Sequence, residues 1–388
     1  MSEWKEVKLK NCISTLKGYA FKSAWYVKKG TPIIRVSDFS IDSVNTENLI
    51  YVNSDIAKTY SKYALIKNDV IIQTVGSWAS NPASVVGKVI KIPNSVENGL
   101  LNQNAVKLIP NTLIDKKYLF YLLKGELFKG YVIGCAQGAA SQASITLETI
   151  YNYHFLLPPL PTQKRISNIL SNYDNLIENN QKRIEILEKM AQNLYKEWFV
   201  RFRFPNWESV EFVDGLPIGW EKIKFKNFTQ LKRGYDLPNR NIIEGNFPII
   251  ASTNIKGYHN QYKVEPPCIT TGRSGSLGTV QFINQKSWVL NTSLYVKDFK
   301  GNSPRFIYYT LKELHLERFN AGAGVPTLNR NHLDAIKIIK PTQELQKKFE
   351  DIINSFFNQI ENLQQKNNLL KQERNRLLPR LLSGKLEV

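Results

Sequence analysis

The sequence predicts two α/β (α+β) domains in tandem, each followed by a long helix, with the two helices paired as an antiparallel coiled coil. The first ground is that the chain nearly repeats itself. Trp4, Val7, Lys8, Leu9, Lys10, Asn11, Gly18 and Tyr19 return 216 positions on as Trp220, Ile223, Lys224, Phe225, Lys226, Asn227, Gly234 and Tyr235. Pro32-Ile33-Ile34 returns at the same offset as Pro248-Ile249-Ile250. Further on, Leu101-Asn102 reads as Leu290-Asn291, and Pro161-Thr162-Gln163 as Pro341-Thr342-Gln343. The offset shrinks along a colinear series, as it does between two copies of one unit whose surface loops differ in length. Such copies form a tandem repeat related by a pseudo-two-fold axis. The second ground is a heptad pattern after each mixed segment.

Residues 1–157 are the first domain. Strand-like stretches (Pro32 to Val36, Val70 to Val75) mix there with glycine turns and a helical piece from Tyr118 to Leu123. Residues 158–204 are the central helix. It follows Leu156-Leu157-Pro158-Pro159-Leu160-Pro161, starts near Thr162 as an N-cap, and closes at Pro205. One seam set holds Ile166, Tyr173, Asn180, Leu187 and Leu194; the other holds Leu170, Ile177, Ile184, Ala191 and Trp198. Residues 205–341 are the second domain, with its helical piece at Phe306 to Leu311.

Residues 342–388 are the distal helix, which repeats the heptads 183 positions on: Phe349, Phe356, Leu363, Leu370 and Leu377, then Ile353, Ile360, Asn367, Arg374 and Leu381. If a two-fold relates the helices, residue x faces residue 547 − x. Asn180 then meets Asn367, Ala191 meets Phe356, Trp198 meets Phe349, Ile184 meets Leu363, and Arg374 meets the Tyr173 ring as a cation–π pair. About 35 residues of helix make a rod of roughly 50 Å.

Composition sets bounds. At 42% hydrophobic and 22% charged, the chain is too apolar for disorder and long enough for two or three cores. Cys12, Cys135 and Cys268 are too few and too scattered for a disulfide framework or a metal site. No signal-peptide core or membrane-length apolar run is present, so a cytoplasmic location and no membrane partner are expected. The formal charge of +19 points to a polyanionic partner.

Catalytic motifs are missing. His154, His259, His315 and His332 make no metal-ligand pattern, and Glu265-Pro266-Pro267-Cys268 lacks both informative ends of an amino-methyltransferase turn. Gly272-Arg273-Ser274-Gly275-Ser276-Leu277-Gly278 lacks the Lys-Ser/Thr end of a P-loop. Free backbone N–H groups beside Arg273, Ser274 and Ser276 would nevertheless suit DNA phosphates or base edges. Other DNA-binding candidates sit where the copies correspond. Lys17 and Tyr19 match Arg233 and Tyr235, while Arg35, Ser37 and Asp38 match Ala251, Thr253 and Asn254. Gln73, Thr74, Ser77 and Trp78 occupy the position of the glycine-rich loop.

Two α/β halves, each followed by a long helix after Pro-Thr-Gln, make the chain resemble the specificity subunit of type I restriction-modification systems. Leu156 to Gln163 carries the resemblance best, and Ile336 to Gln343 repeats it with Lys340 in place of the first proline. Phe247-Pro248-Ile249-Ile250, Gly324 to Asn329 and Leu377 to Gly384 are also similar to that family. The resemblance implies two target-recognition domains, each reading half of a split, asymmetric double-stranded DNA site across a helical spacer. It implies partners: two modification subunits carrying S-adenosylmethionine, and restriction (motor-nuclease) subunits using ATP and Mg. This chain itself would hold no cofactor and would not be an enzyme. Two other readings stay open at this point, a self-contained DNA-modifying enzyme and a non-catalytic coiled-coil interaction scaffold.

Overall fold

A computed structural model describes residues 4–78, 85–139, 142–322 and 324–388. The chain divides into two compact units. The first comprises 1–179 with 366–388, and the second 180–365. Each therefore gathers one mixed domain together with a segment of both long helices.

In the first unit, Ile13–Lys17, Ala105–Pro110, Val70–Gln73 and Val89–Lys91 form a four-stranded antiparallel sheet in that spatial order. Val70 to Gln73 are buried at every position, as expected of a central strand covered on both faces. Lys116–Lys124 is a helix because the Asp115 carboxylate accepts the Tyr118 N–H as N-cap. Its buried Tyr118 to Leu123 pack into the core of this unit with Ile166, Leu170 and Leu381 of the long helices. A second sheet orders Tyr26–Val27, Ile50–Val52, Thr31–Ile34 and Leu100–Leu101, the last pair parallel. Lys5–Lys8 pairs with His154–Leu157 and ties the start of the domain to its end.

The second unit follows the same plan. Gln230–Arg233, Ser293–Asp298, Cys268–Gly272 and Val280–Ile283 make the four-stranded sheet. Ser303 caps Pro304–Glu313 by accepting the Phe306 N–H, with proline at the first helical position. Ile255–His259, Phe247–Ile250 and Trp288–Val289 form the smaller sheet, again with one parallel pair.

The long helices run Leu160–Tyr195, extended by a π turn over Lys196–Val200, and Gln343–Leu382. In the second unit they are antiparallel: Trp198 contacts Phe349 at 6.0 Å between ring centroids, and Ile184, Leu187, Ile360 and Leu363 form one buried cluster. Ala191 is fully buried in the core against which Phe356 packs. In the first unit, buried Asn367 donates to the Ile177 carbonyl at 3.5 Å.

Three expectations change. The first helix begins at Leu160, so Thr162 is no N-cap; it is Thr342 that accepts, from the Leu345 N–H at 3.4 Å. The matching glutamines are Gln163 and Gln346, so Pro161-Thr162-Gln163 and Pro341-Thr342-Gln343 are three positions out of step. Gln163 accepts from the Asp115 N–H (2.8 Å) and donates to the Leu113 (3.0 Å) and Pro158 (2.8 Å) carbonyls. Gln346 accepts from the Ser303 N–H (3.0 Å) and donates to Asn302 Oδ1 (3.0 Å) and the Pro341 carbonyl (3.2 Å). Finally, Arg374 turns from the Tyr173 ring to Asp174, because a buried guanidinium gains more from a carboxylate than from a ring face.

Candidate nucleic-acid interface

Antiparallel pairing brings separate candidates to one end of each four-stranded sheet. In the first unit Lys17 lies opposite Val106, and Ala105 lies opposite Gln73. The chain then crosses to the smaller sheet. The Gly18 N–H donates to Ala105 O, Tyr19 N–H to Leu101 O, and Asn102 N–H to Ile34 O, each at 3.0 Å. Lys17-Gly18-Tyr19, Asn102-Gln103 and the turn from Arg35 to Asp38 are thus neighbours. A Cβ at Gly18 would lie 1.9 Å from the Asn102 carbonyl oxygen, so only glycine permits this crossing.

The second unit repeats it. The Gly234 N–H donates to Ser293 O (3.0 Å), Tyr235 N–H to Val289 O (2.7 Å), and Leu290 N–H to Ile250 O (2.9 Å). A Cβ at Gly234 would lie 2.2 Å from the Leu290 oxygen. These bonds align Leu101 with Val289, one residue away from the Leu-Asn match, because backbone partners and not side-chain identity set the register. The Arg273 and Ser274 N–H groups donate to Thr292 O at 2.8 and 3.1 Å, and the Ser252 hydroxyl donates to the same carbonyl at 2.9 Å. Arg233, Arg273 and the Thr253-Asn254 hairpin tip are therefore held on one framework.

The candidates differ in what they present. Lys17, Ser37, Arg233, Thr253, Asn254 and Ser276 are exposed. Arg233 lies 3.9 Å from the exposed Asp236. Arg273 and Ser274 are half-buried; Arg273 Nη1 lies 3.4 Å from the Asn291 carbonyl. Ser77 and Trp78 are half-buried, and Trp78 packs on the domain core.

Four expectations need correction. Gln73 and Thr74 are buried, and the Gln73 amide donates to Val75 O at 2.8 Å, since they end a strand covered on both faces. Arg35 makes two hydrogen bonds to the buried Asp38 carboxylate (3.0 and 2.8 Å), which take up the guanidinium and, against its own partial burial, hold it above its ordinary pKa. The first half of the glycine-rich loop offers no free backbone donors: the Arg273, Ser274 and Gly275 N–H groups bond carbonyls, the last to Pro326 at 2.9 Å. Tyr19 and Tyr235 are framework as much as surface. Tyr19 shares a hydroxyl contact with Tyr60 at 3.2 Å, and Tyr235 with Tyr295 at 3.1 Å. The latter bond lowers the Tyr235 pKa, while burial raises that of Tyr295.

Each tyrosine belongs to an aromatic group rimmed by lysines, which no local sequence motif marks. In the first unit Tyr19, Phe21, Trp25, Tyr60 and Tyr63 stack edge and face, with Lys22 Nζ 5.5 Å from the Trp25 ring. Among the described residues, exposed Lys22, Lys28, Lys29, Lys58 and Lys62 make no ion pair. In the second unit Lys232 lies over Tyr235 and Lys263 over Trp288, each at 5.3 Å. The change of Leu100 to Trp288 between copies was the available signal, once the register is right.

Among the described residues no group of three or more His, Cys, Asp or Glu could hold a metal ion, and no helix is long and apolar enough to cross a membrane. His259 is buried against Trp288 with Nδ1 at the Ile243 backbone, a packing role. Burial pushes the Cys268 thiol up to about 12 and also raises Cys12, so neither is a ready nucleophile.

The family described as "Type I restriction modification DNA specificity domain" matches residues 1–189 and 217–372. The putative type I restriction enzyme MjaX specificity subunit of Methanocaldococcus jannaschii is 25% identical over 415 residues, covering 100% of this chain and 94% of its own. The MjaIX specificity subunit of the same organism is 27% identical over 74% of this chain and 73% of its own. A crystal structure of a type I restriction-modification S subunit from M. genitalium superposes with a TM-score of 0.57 at 18% identity, over 98% of this chain and 96% of that one, a likeness of fold.

Proposed function

This chain belongs to the type I restriction modification DNA specificity family, and we propose that it is the DNA-recognition subunit of such a system, each unit reading one half of a split, non-palindromic target. The observation that carries this reading is the doubled sheet end. In both units a glycine–tyrosine crossing presents an exposed cation, Lys17 or Arg233, beside a turn whose side chains differ: Ser37 in one, Thr253 and Asn254 in the other. A common framework with unlike side chains is what two half-sites of different sequence require. The net charge of +19 supplies the sequence-independent attraction to phosphates. Arg273, Ser274, Ser276, Arg233, Thr253 and Asn254 are assigned to the second half-site, and Lys17, Ser37, Ser77 and Trp78 to the first.

Partners carry the chemistry in this reading. Two modification subunits bring S-adenosylmethionine, and restriction subunits bring ATP and Mg; the chain holds no cofactor and catalyses nothing. The paired helices serve as spacer and docking surface. The test is a methylome of cells carrying this chain with its modification subunit, repeated after residues 1–157 are exchanged for a domain of other specificity. One half-site is expected to change while the other half and the gap persist. A palindromic motif, or change in both halves, would refute the division of labour.

A further inference from the structure

Each domain meets the long helices through a seam, and the two seams use different chemistry at equivalent positions. In the first unit the Asp174 carboxylate of the central helix, 10% exposed, receives Lys91 Nζ at 2.9 Å from the sheet. It also receives the Tyr121 hydroxyl at 2.6 Å from the helix Lys116–Lys124 and Arg374 Nη1 at 2.6 Å from the distal helix. Arg374 reaches Asp42 of the domain as well, at 3.2 Å. One anion therefore ties four elements together. Burial works against its charge, yet Lys91, Tyr121 and Arg374 hold it below the usual carboxylate range.

In the second unit the strand register places Phe282 where Lys91 stands, since Val280 faces Thr271 as Val89 faces Ile72. The glutamine correspondence places Phe357 at the position of Asp174 and Ala191 at that of Arg374. The cation there comes from the domain: the Arg305 guanidinium lies 3.6 Å from both the Phe282 and Phe357 ring centroids, with Nε 3.3 Å from Asn354 Oδ1. Ring faces attract a cation over a broad area, whereas hydrogen bonds to one carboxylate weaken steeply with angle.

We propose that Asp174, acting through Lys91 and Arg374, is a specificity-determining positioning residue that fixes the angle of the first domain on the helix pair and thereby the gap length at which its half-site is read. At the equivalent positions of the second unit, ring faces around Arg305 stand in place of a carboxylate shared by three donors. This rests on the function proposed above.

The test uses the full chain assembled with its modification subunits, acting on duplexes whose half-sites stand at the native gap or one base pair nearer or farther. Methylation rates are measured for each. With Asp174→Ala the ratio of off-gap to native-gap methylation is expected to rise about tenfold, as off-angle states become populated, and Asp174→Glu is expected to restore most of the discrimination. Lys91→Ala, a milder change that leaves Asp174 with Arg374, is expected to raise the ratio less. It also serves if Asp174→Ala fails to assemble. Variants that lose rate equally at every gap would overturn the proposal, because loss of folded protein scales all rates alike. A wild-type complex with no gap preference would overturn the function reading itself, and the proposal with it.

Discussion

Replacing Gln163 by alanine tests the joint between domain and helix. The side chain is 1% exposed, and its amide makes three hydrogen bonds of 2.8–3.0 Å to the Asp115 N–H and the Leu113 and Pro158 carbonyls. Each bond contributes about 1 kcal/mol net, and a buried group left unpaired costs about 1–3 kcal/mol. A loss of about 3–5 kcal/mol in the first unit is therefore expected. Gln163→Glu is nearly isosteric, but a carboxylate only accepts. It keeps the Asp115 bond and turns two donor contacts into repulsion, so it should be no milder than alanine. Urea unfolding with hydrogen exchange read separately in the two units provides the measurement, because a chain of two units need not unfold in one step. Gln346→Ala should transfer the loss to the second unit. A loss under about 1 kcal/mol for Gln163→Ala, or a Gln163→Glu protein as stable as wild type, would show that the glutamine is not the joint.

Arg273→Ala should weaken DNA binding of the assembled complex by about 1–3 kcal/mol if it reads a base edge, or lower the salt dependence by about one counterion on every sequence if it touches phosphate; no loss on any duplex would remove it from the site. Burial pushes Arg305 down to about 10, a cost of about 3 kcal/mol that two ring contacts of about 2 kcal/mol each offset. Arg305→Met should then lie within about 1 kcal/mol of wild type and Arg305→Ala lose about 2–4 kcal/mol; equal damage from both would mean the cation itself is needed. Asp69, held low by Lys107 and Lys116 against burial, and Asp174 are carboxylates with depressed folded pKa values. Their stabilisation is complete above the unfolded value near 3.8 and is lost as pH falls through the folded values. The first unit should therefore lose more stability than the second at about pH 3, since Cys268 and Phe357 stand at those positions; equal loss by unit-resolved hydrogen exchange would contradict this. Asn367, buried against the Ile177 carbonyl, should set helix register, so Asn367→Leu should raise stability but let an Ala191→Cys/Phe356→Cys pair crosslink less selectively than in the parent.

The tandem architecture, the antiparallel helices and the polyanionic class of partner were legible because they rest on periodic or summed properties. Heptads repeat every seven residues whatever else the chain does, and the repeat survives changes in loop length. The sequence also determined which glycines allow the crossing at Gly18 and Gly234. Tertiary structure alone decided the rest. It set the alignment of the copies at Val289, since backbone hydrogen bonds ignore a chance identity such as Leu-Asn, and at Gln346 it upheld the heptad offset of 183 over the Pro-Thr-Gln match. It buried Gln73 and Thr74 and took up the Arg273, Ser274 and Gly275 N–H groups, because a neighbouring strand or turn, distant in sequence, supplies the acceptors. It also chose Asp174 over Tyr173 for Arg374. A side chain's partner depends on which long-range neighbour arrives in the folded state, and local patterns carry no record of that neighbour.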